Sequence, residues 1–236
     1  MLFFNSFDII GSTFNRPPNS LPGDTPSTGN LSLLQDAEGN NCTSFPAELL
    51  QLVQAGAQIS DASGTHVCQA SEAVQRLLKT AQDFDPFAWA LRLQSRSPAK
   101  DVMQRHSLAI AHCAAVCIYL SRILLALDPL ALSSASFSSY VSTVVRHLCA
   151  FRPADDLFTA TTWPAFVAGA ETDDPIIQDW ARRRFEEMWS VEPWGNVKGA
   201  LGLLESIWKR RSLEAESIPH DWVSHLRSLG VNWLVI

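Results

Sequence analysis

Apolar positions recur at helical spacing through most of the chain, and no alternating run is long enough to commit to a sheet except the final Val231 to Ile236. Residues 16–44 interrupt the pattern. They are rich in Pro, Gly, Ser, Thr and Asn, with Pro17, Pro18, Pro22 and Pro26 close together, and read as a long mobile loop. From Phe45 onward helices dominate. Leu49, Leu50 and Val53 set a helix over Pro46 to Ala57, Val74, Leu77 and Leu78 one over Ser71 to Gln82, and a shorter one follows over Pro86 to Leu93.

The longest candidate runs from Lys100 to Leu127. Leu108 to Leu127 is long and apolar enough to raise a membrane span. His112 and Arg122 interrupt it and Asp128-Pro129 closes it, which favours a core helix over a span. Ser133 to Ser139 reads as a serine-rich joint, followed by an amphipathic helix through Val141, Val144, Val145 and Leu148.

Trp163 to Ala170 is almost wholly apolar, with Pro164 where a first helical turn tolerates it, and predicts a fully buried helix beginning near Asp155 or Asp156. Asp174-Pro175 then pairs an N-cap with a first-turn proline. Beyond it, Ile177, Trp180, Ala181, Phe185, Met188 and Trp189 form one helical face, and Arg182, Arg183, Arg184, Glu186 and Glu187 are assigned mostly to the arc facing water. A turn over Pro193 to Gly195 leads to Asn196 as the cap of another helix. Its Val197, Leu201, Leu204 and Trp208 share a side, and Lys209, Arg210 and Arg211 complement the dipole of its last turn. Near the end, Trp222, Leu226 and Leu229 share a face that Gly230 stops.

These elements predict an all-α fold, an irregular multi-helix array with one long buried helix. It divides into 1–44, an N-terminal helical start plus flexible loop, and an all-helical domain over 45–236.

Four of the elements, in order, resemble the fungal-specific transcription factor domain, the regulatory domain behind the zinc cluster of many fungal regulators. They are Trp163, Pro164, Ala168 and Gly169; Arg182 to Arg184; Gly195, Asn196 and Val197; and Trp208 to Arg211. His106 to Arg122, with Ile118, Tyr119 and Leu120, is similar to the family's preceding helix. More weakly, Phe3 to Pro18 is similar to an earlier segment through Phe7, Asp8 and Arg16-Pro17-Pro18.

The resemblance implies a nuclear, non-enzymatic regulatory module that binds a small-molecule effector or co-regulator proteins and forms homo- or hetero-dimers. The alternative is a helical ligand-binding or scaffold protein, nuclear or cytoplasmic, that no longer controls transcription. An enzyme with an apolar pocket is a third reading.

Full regulators of this kind carry six cysteines holding two zinc ions and placing a helix in the major groove. Here Cys42, Cys68, Cys113, Cys117 and Cys149 are scattered, without the two-residue gap that metal loops favour. No direct nucleic-acid binding is therefore expected. The chain reads as a truncated product, a shortened gene model or a regulator that lost its DNA reader.

Composition narrows the choices further. A hydrophobic content of 47% excludes general disorder, and the eight tryptophans are expected to pack a core. Net charge of -6 argues against an extended phosphate-binding surface. The apolar Met1 to Phe4 lacks a basic start, and Asn5, Ser6 and Asp8 interrupt it, so no signal peptide is predicted; Asn30 and Asn41 then match the glycosylation pattern by coincidence.

Candidate chemistry is sparse. Cys113 and Cys117 share a helix face, but His106 and His112 lie about 120° apart around the helix, so a packed cysteine pair is preferred to zinc. Asp155-Asp156, Asp173-Asp174 and Glu186-Glu187 are sequence neighbours that diverge on a helix, and the first two pairs suit N-caps. His220 and His225, near Asp221, have no positioned nucleophile beside them. No catalytic, cofactor, metal or DNA-contacting residue is assigned.

Overall fold

The computed structural model describes residues 34–35, 38–39, 44–62, 67–94, 101–131, 135–213 and 221–228. Most of the loop expected over 16–44, the strand option at Val231 to Ile236, and Leu229 and Gly230 lie outside them. Among the described residues the fold is all-α: α1 (Ala47–Ala62), α2 (Val67–Gln82), α3 (Pro86–Leu93), α4 (Val102–Leu127), α5 (Ala135–Leu148), a 3-10 turn (Thr159–Thr161), α6 (Thr162–Glu171), α7 (Pro175–Val191), α8 (Gly195–Leu213) and α9 (Trp222–Ser228).

Helix starts follow local chemistry. Asp85, Asp101 and Asp174 cap α3, α4 and α7, each accepting from backbone N–H groups of the first turn, and Pro86 and Pro175 occupy positions where no helical N–H is needed. At two starts the expectation is corrected. Asp155 Oδ2 accepts from the Arg152 N–H in a turn, and the chain enters α6 through the 3-10 turn instead of through an aspartate cap. The serine-rich joint is largely helical, because α5 already begins at Ala135.

Helix α4 is the axis of the array. It packs against α1, α2, α3, α5 and α6. Leu108, Ala111, Ala115, Val116, Ile118, Tyr119 and Leu120 are all buried, so contact on several sides accounts for an apolar run that its composition alone would also allow to cross a membrane. Gly56 marks where α1 crosses closely, since a Cβ there would stand 2.6 Å from Leu120 Cδ2.

Every residue of α6 is buried, and α6 contacts α4, α5, α7 and α8, making it the second hub. Pro164 falls in its first turn, where the absent N–H costs nothing. Phe45 and Ser44 close the array beside α4: Ser44, held at φ 36°, accepts a 2.5 Å hydrogen bond from the buried Arg105 guanidinium. Glu38 is also buried, accepting from Ala47 N–H at 2.7 Å and Trp89 Nε1 at 3.0 Å; burial raises its pKa, opposed by those bonds.

Candidate functional site

Gly169 on α6 sits where α7 and α8 converge. A Cβ there would stand 3.1 Å from Ala181 Cβ and 3.3 Å from both Leu204 methyl carbons. Its carbonyl accepts a 2.8 Å hydrogen bond from Trp208 Nε1, and the Arg182 guanidinium covers the Trp208 ring at 5.3 Å. Three elements separated in sequence thus lock one helix junction.

Below it, α6 ends on a buried charge network. Glu171 pairs with Arg122 of α4 through Nε to Oε2 at 2.8 Å and a second contact from Nη2 to Oε1, and its Oε2 also accepts from Trp222 Nε1 at 2.9 Å. Arg122 further covers the Phe137 ring at 4.6 Å. Arg211 reaches across from α8: its guanidinium donates to the Ala170 carbonyl at 2.8 Å and contacts the Thr172 carbonyl and Asp173. Burial lowers the Arg211 pKa, opposed by Asp173.

A cavity of about 740 Å³ opens over this network. Leu125, Ala126, Pro129, Phe137, Val141 and Ile177 are its apolar lining, and Arg122, Arg211, Glu171, Asp173, Asp174 and Asp221 its charged lining. The volume lies within the range of small-molecule sites, which are mostly apolar with a few convergent polar groups.

Arg184 and Arg211 correct the picture of basic runs facing water. Arg184 is buried, donates to the Phe151 carbonyl at 3.0 Å and contacts the Leu148 carbonyl, so it closes the C-terminal end of α5. Its guanidinium lies 4.8 Å from the Phe158 ring centre, and burial lowers its pKa. Arg183 does remain exposed, paired with Asp179 at 3.0 Å. Arg211 satisfies the end of α6 besides complementing α8. The sequence held a signal for both: Arg184 is four residues from Trp180 and Met188, and Arg211 is four from Ile207 and three from Trp208, so both lie on buried stripes.

The other sequence candidates separate. His112 forms a three-ring cluster with Phe45, at 4.2 Å between ring centres, and Trp163, at 6.3 Å, which themselves lie 5.2 Å apart, and burial lowers its pKa to about 3. Its Nδ1 and Trp163 Nε1 have no hydrogen-bond partner among the described residues. Cys113 instead donates to the Ala81 carbonyl at 3.0 Å, and its hydrogen bond with Cys117, then burial, raise the Cys117 thiol pKa. His106 meets the edge of Phe87 at 5.4 Å. Among the described residues no three His, Cys, Asp or Glu side chains converge as metal ligands.

The paired acids also diverge in use. Asp174 caps α7 while Asp173 contacts Arg211; Asp221 accepts from Ser224 N–H at 3.0 Å, and His225 Nδ1 lies 2.5 Å from Arg210. His220 lies outside the described residues. Of the tryptophans, Trp89, Trp163, Trp208 and Trp222 are buried, whereas Trp194 is 44% exposed and departs from the expected core.

A family model described as a fungal-specific transcription factor domain matches residues 1–236. The chain belongs to this family. The acriflavine sensitivity control protein acr-2 of Neurospora crassa is 28% identical over 244 residues, covering 98% of this chain and 41% of that protein. This fungal-specific transcription factor domain chain thus spans less than half the length of that relative. No solved structure matches it.

Proposed function

We propose that this chain is the regulatory portion of a fungal transcription regulator, nuclear in location, that responds to a small-molecule effector bound in the cavity beside Glu171. The observation that carries the effector site is the cavity itself, with apolar lining from α4, α5 and α7 and charged lining gathered around the end of α6. Family membership supplies the regulatory context. The relative's name connects that protein with control of acriflavine sensitivity, which suits a regulator responsive to a small organic compound.

The physical means is a shift between states. A compound filling the cavity touches α4, α5, the α6–α7 link, α8 and the residue preceding α9, and it favours whichever arrangement of those helices gives it more contact. Protein partners then read the helix arrangement. We assign the chain no catalytic step and no DNA contact of its own.

The test fuses the full chain to a heterologous DNA-binding domain in a fungal reporter strain and challenges it with organic compounds, acriflavine included. Reporter output is expected to change with compound, and Ile177→Trp, which projects bulk into the cavity, is expected to abolish the response at unchanged protein level. A chain that stays wholly outside the nucleus and whose deletion alters no transcript would instead mark a ligand-binding or scaffold protein without transcriptional control.

A further inference from the structure

We infer that the cavity selects organic cations: compact, largely apolar molecules carrying one positive charge. The inference rests on the cavity being an effector site, and it follows from the charges that line it. Two guanidiniums, Arg122 and Arg211, face four carboxylates, Glu171, Asp173, Asp174 and Asp221, leaving a difference of two negative charges (2 − 4 = −2).

How those charges are committed matters more than their number. Arg122 is held by both oxygens of Glu171 and stands over Phe137. Arg211 is held by Asp173 and by two backbone carbonyls at the end of α6. An anionic ligand that took Arg122 from Glu171 would leave a buried carboxylate unpaired, which is costly.

The carboxylates are committed differently. Asp174 and Asp221 accept backbone N–H bonds at the starts of α7 and α9, and neither is paired with a cation among the described residues. Each has spare acceptor capacity at the cavity. Leu125, Phe137, Val141 and Ile177 add apolar surface to the same cavity. A flat or compact hydrophobic body carrying one positive charge satisfies both kinds of lining together.

The experiment uses three probes with one three-ring skeleton and different charge: N-methylacridinium, acridine held neutral at alkaline pH, and acridine-9-carboxylate. Each is titrated into the purified full chain by calorimetry at low and high salt. N-methylacridinium is expected to bind at least about tenfold more tightly than acridine, with the carboxylate weakest, and the difference should shrink as salt screens the charges.

The Asp174→Asn/Asp221→Asn variant keeps both caps, because asparagine caps as well as aspartate. It should bring the cation down to the affinity of the neutral probe and leave acridine unchanged. Equal binding of cation and neutral probe, blocked by Ile177→Trp, would overturn the charge preference while leaving the effector site standing. No binding of any probe to the folded protein would overturn both.

Discussion

Trp208 and Gly169 are joined by a 2.8 Å hydrogen bond from the indole N–H to the main-chain carbonyl, which ties α8 to α6. A Cβ at 169 would stand only 3.1 Å from Ala181 Cβ and 3.3 Å from the Leu204 methyl carbons, so a larger side chain has to push α7 and α8 away. Gly169→Val is therefore expected to destabilise the protein by about 1–3 kcal/mol or more through overpacking. Trp208→Phe should cost about 1–3 kcal/mol by leaving a buried carbonyl unsatisfied. Urea denaturation midpoints check both.

Arg183 and Arg184 are neighbours with opposite environments. Arg184→Met should cost about 1.5–3 kcal/mol, because charge-assisted bonds to the Leu148 and Phe151 carbonyls are lost. Arg183→Met should change stability by less than about 0.5 kcal/mol, since its pair with Asp179 is exposed. Parallel denaturation of the two variants measures the contrast, and equal effects would contradict the assigned burial.

That contrast also marks what the sequence could disclose. Local chemistry placed the start of α7 at Asp174-Pro175 and made α6 wholly buried, because a cap, a proline and an apolar run act within a few residues. The same periodicity carries Arg184 and Arg211 onto buried faces, although charge ordinarily marks a solvated arc. A guanidinium is an exception to that habit, since five donors let it satisfy the carbonyls ending another helix. The cavity had no local signal at all. Its walls come from Arg122, Phe137, Glu171, Ile177, Arg211 and Asp221, and only the packing of α4, α5, α6, α7 and α8 with the start of α9 brings them together.

Glu171 holds three elements through Arg122 and Trp222, with both ends of the ion pair largely buried. Glu171→Gln leaves the Arg122 charge uncompensated, so a loss of about 3–5 kcal/mol is expected. The paired change Arg122→Met/Glu171→Gln should recover a substantial part of it, because the stranded charge is gone. A double-mutant cycle on denaturation midpoints reads the coupling, and additive effects would show the two groups to be independent.

His112 makes stability depend on pH in a defined direction. Its imidazole is neutral in the fold, with burial lowering the pKa to about 3, whereas an unfolded histidine titrates near about 6.5. Below that value the unfolded chain binds a proton that the folded chain does not, so stability is complete above about pH 6.5 and declines as pH falls toward the folded pKa. The slope approaches about 1.4 kcal/mol per pH unit. His112→Phe preserves an aromatic ring beside Phe45 and Trp163 and removes both the titrating group and an Nδ1 with no partner among the described residues. Its stability at neutral pH depends on how the larger ring packs, but its slope does not. Measured between about pH 7 and 5, above most carboxylate titration, the variant should show a shallower decline than the parent chain, the remainder including His147, whose pKa burial also lowers. Parallel curves over that range would show that His112 keeps an ordinary pKa and that the ring cluster is open to water.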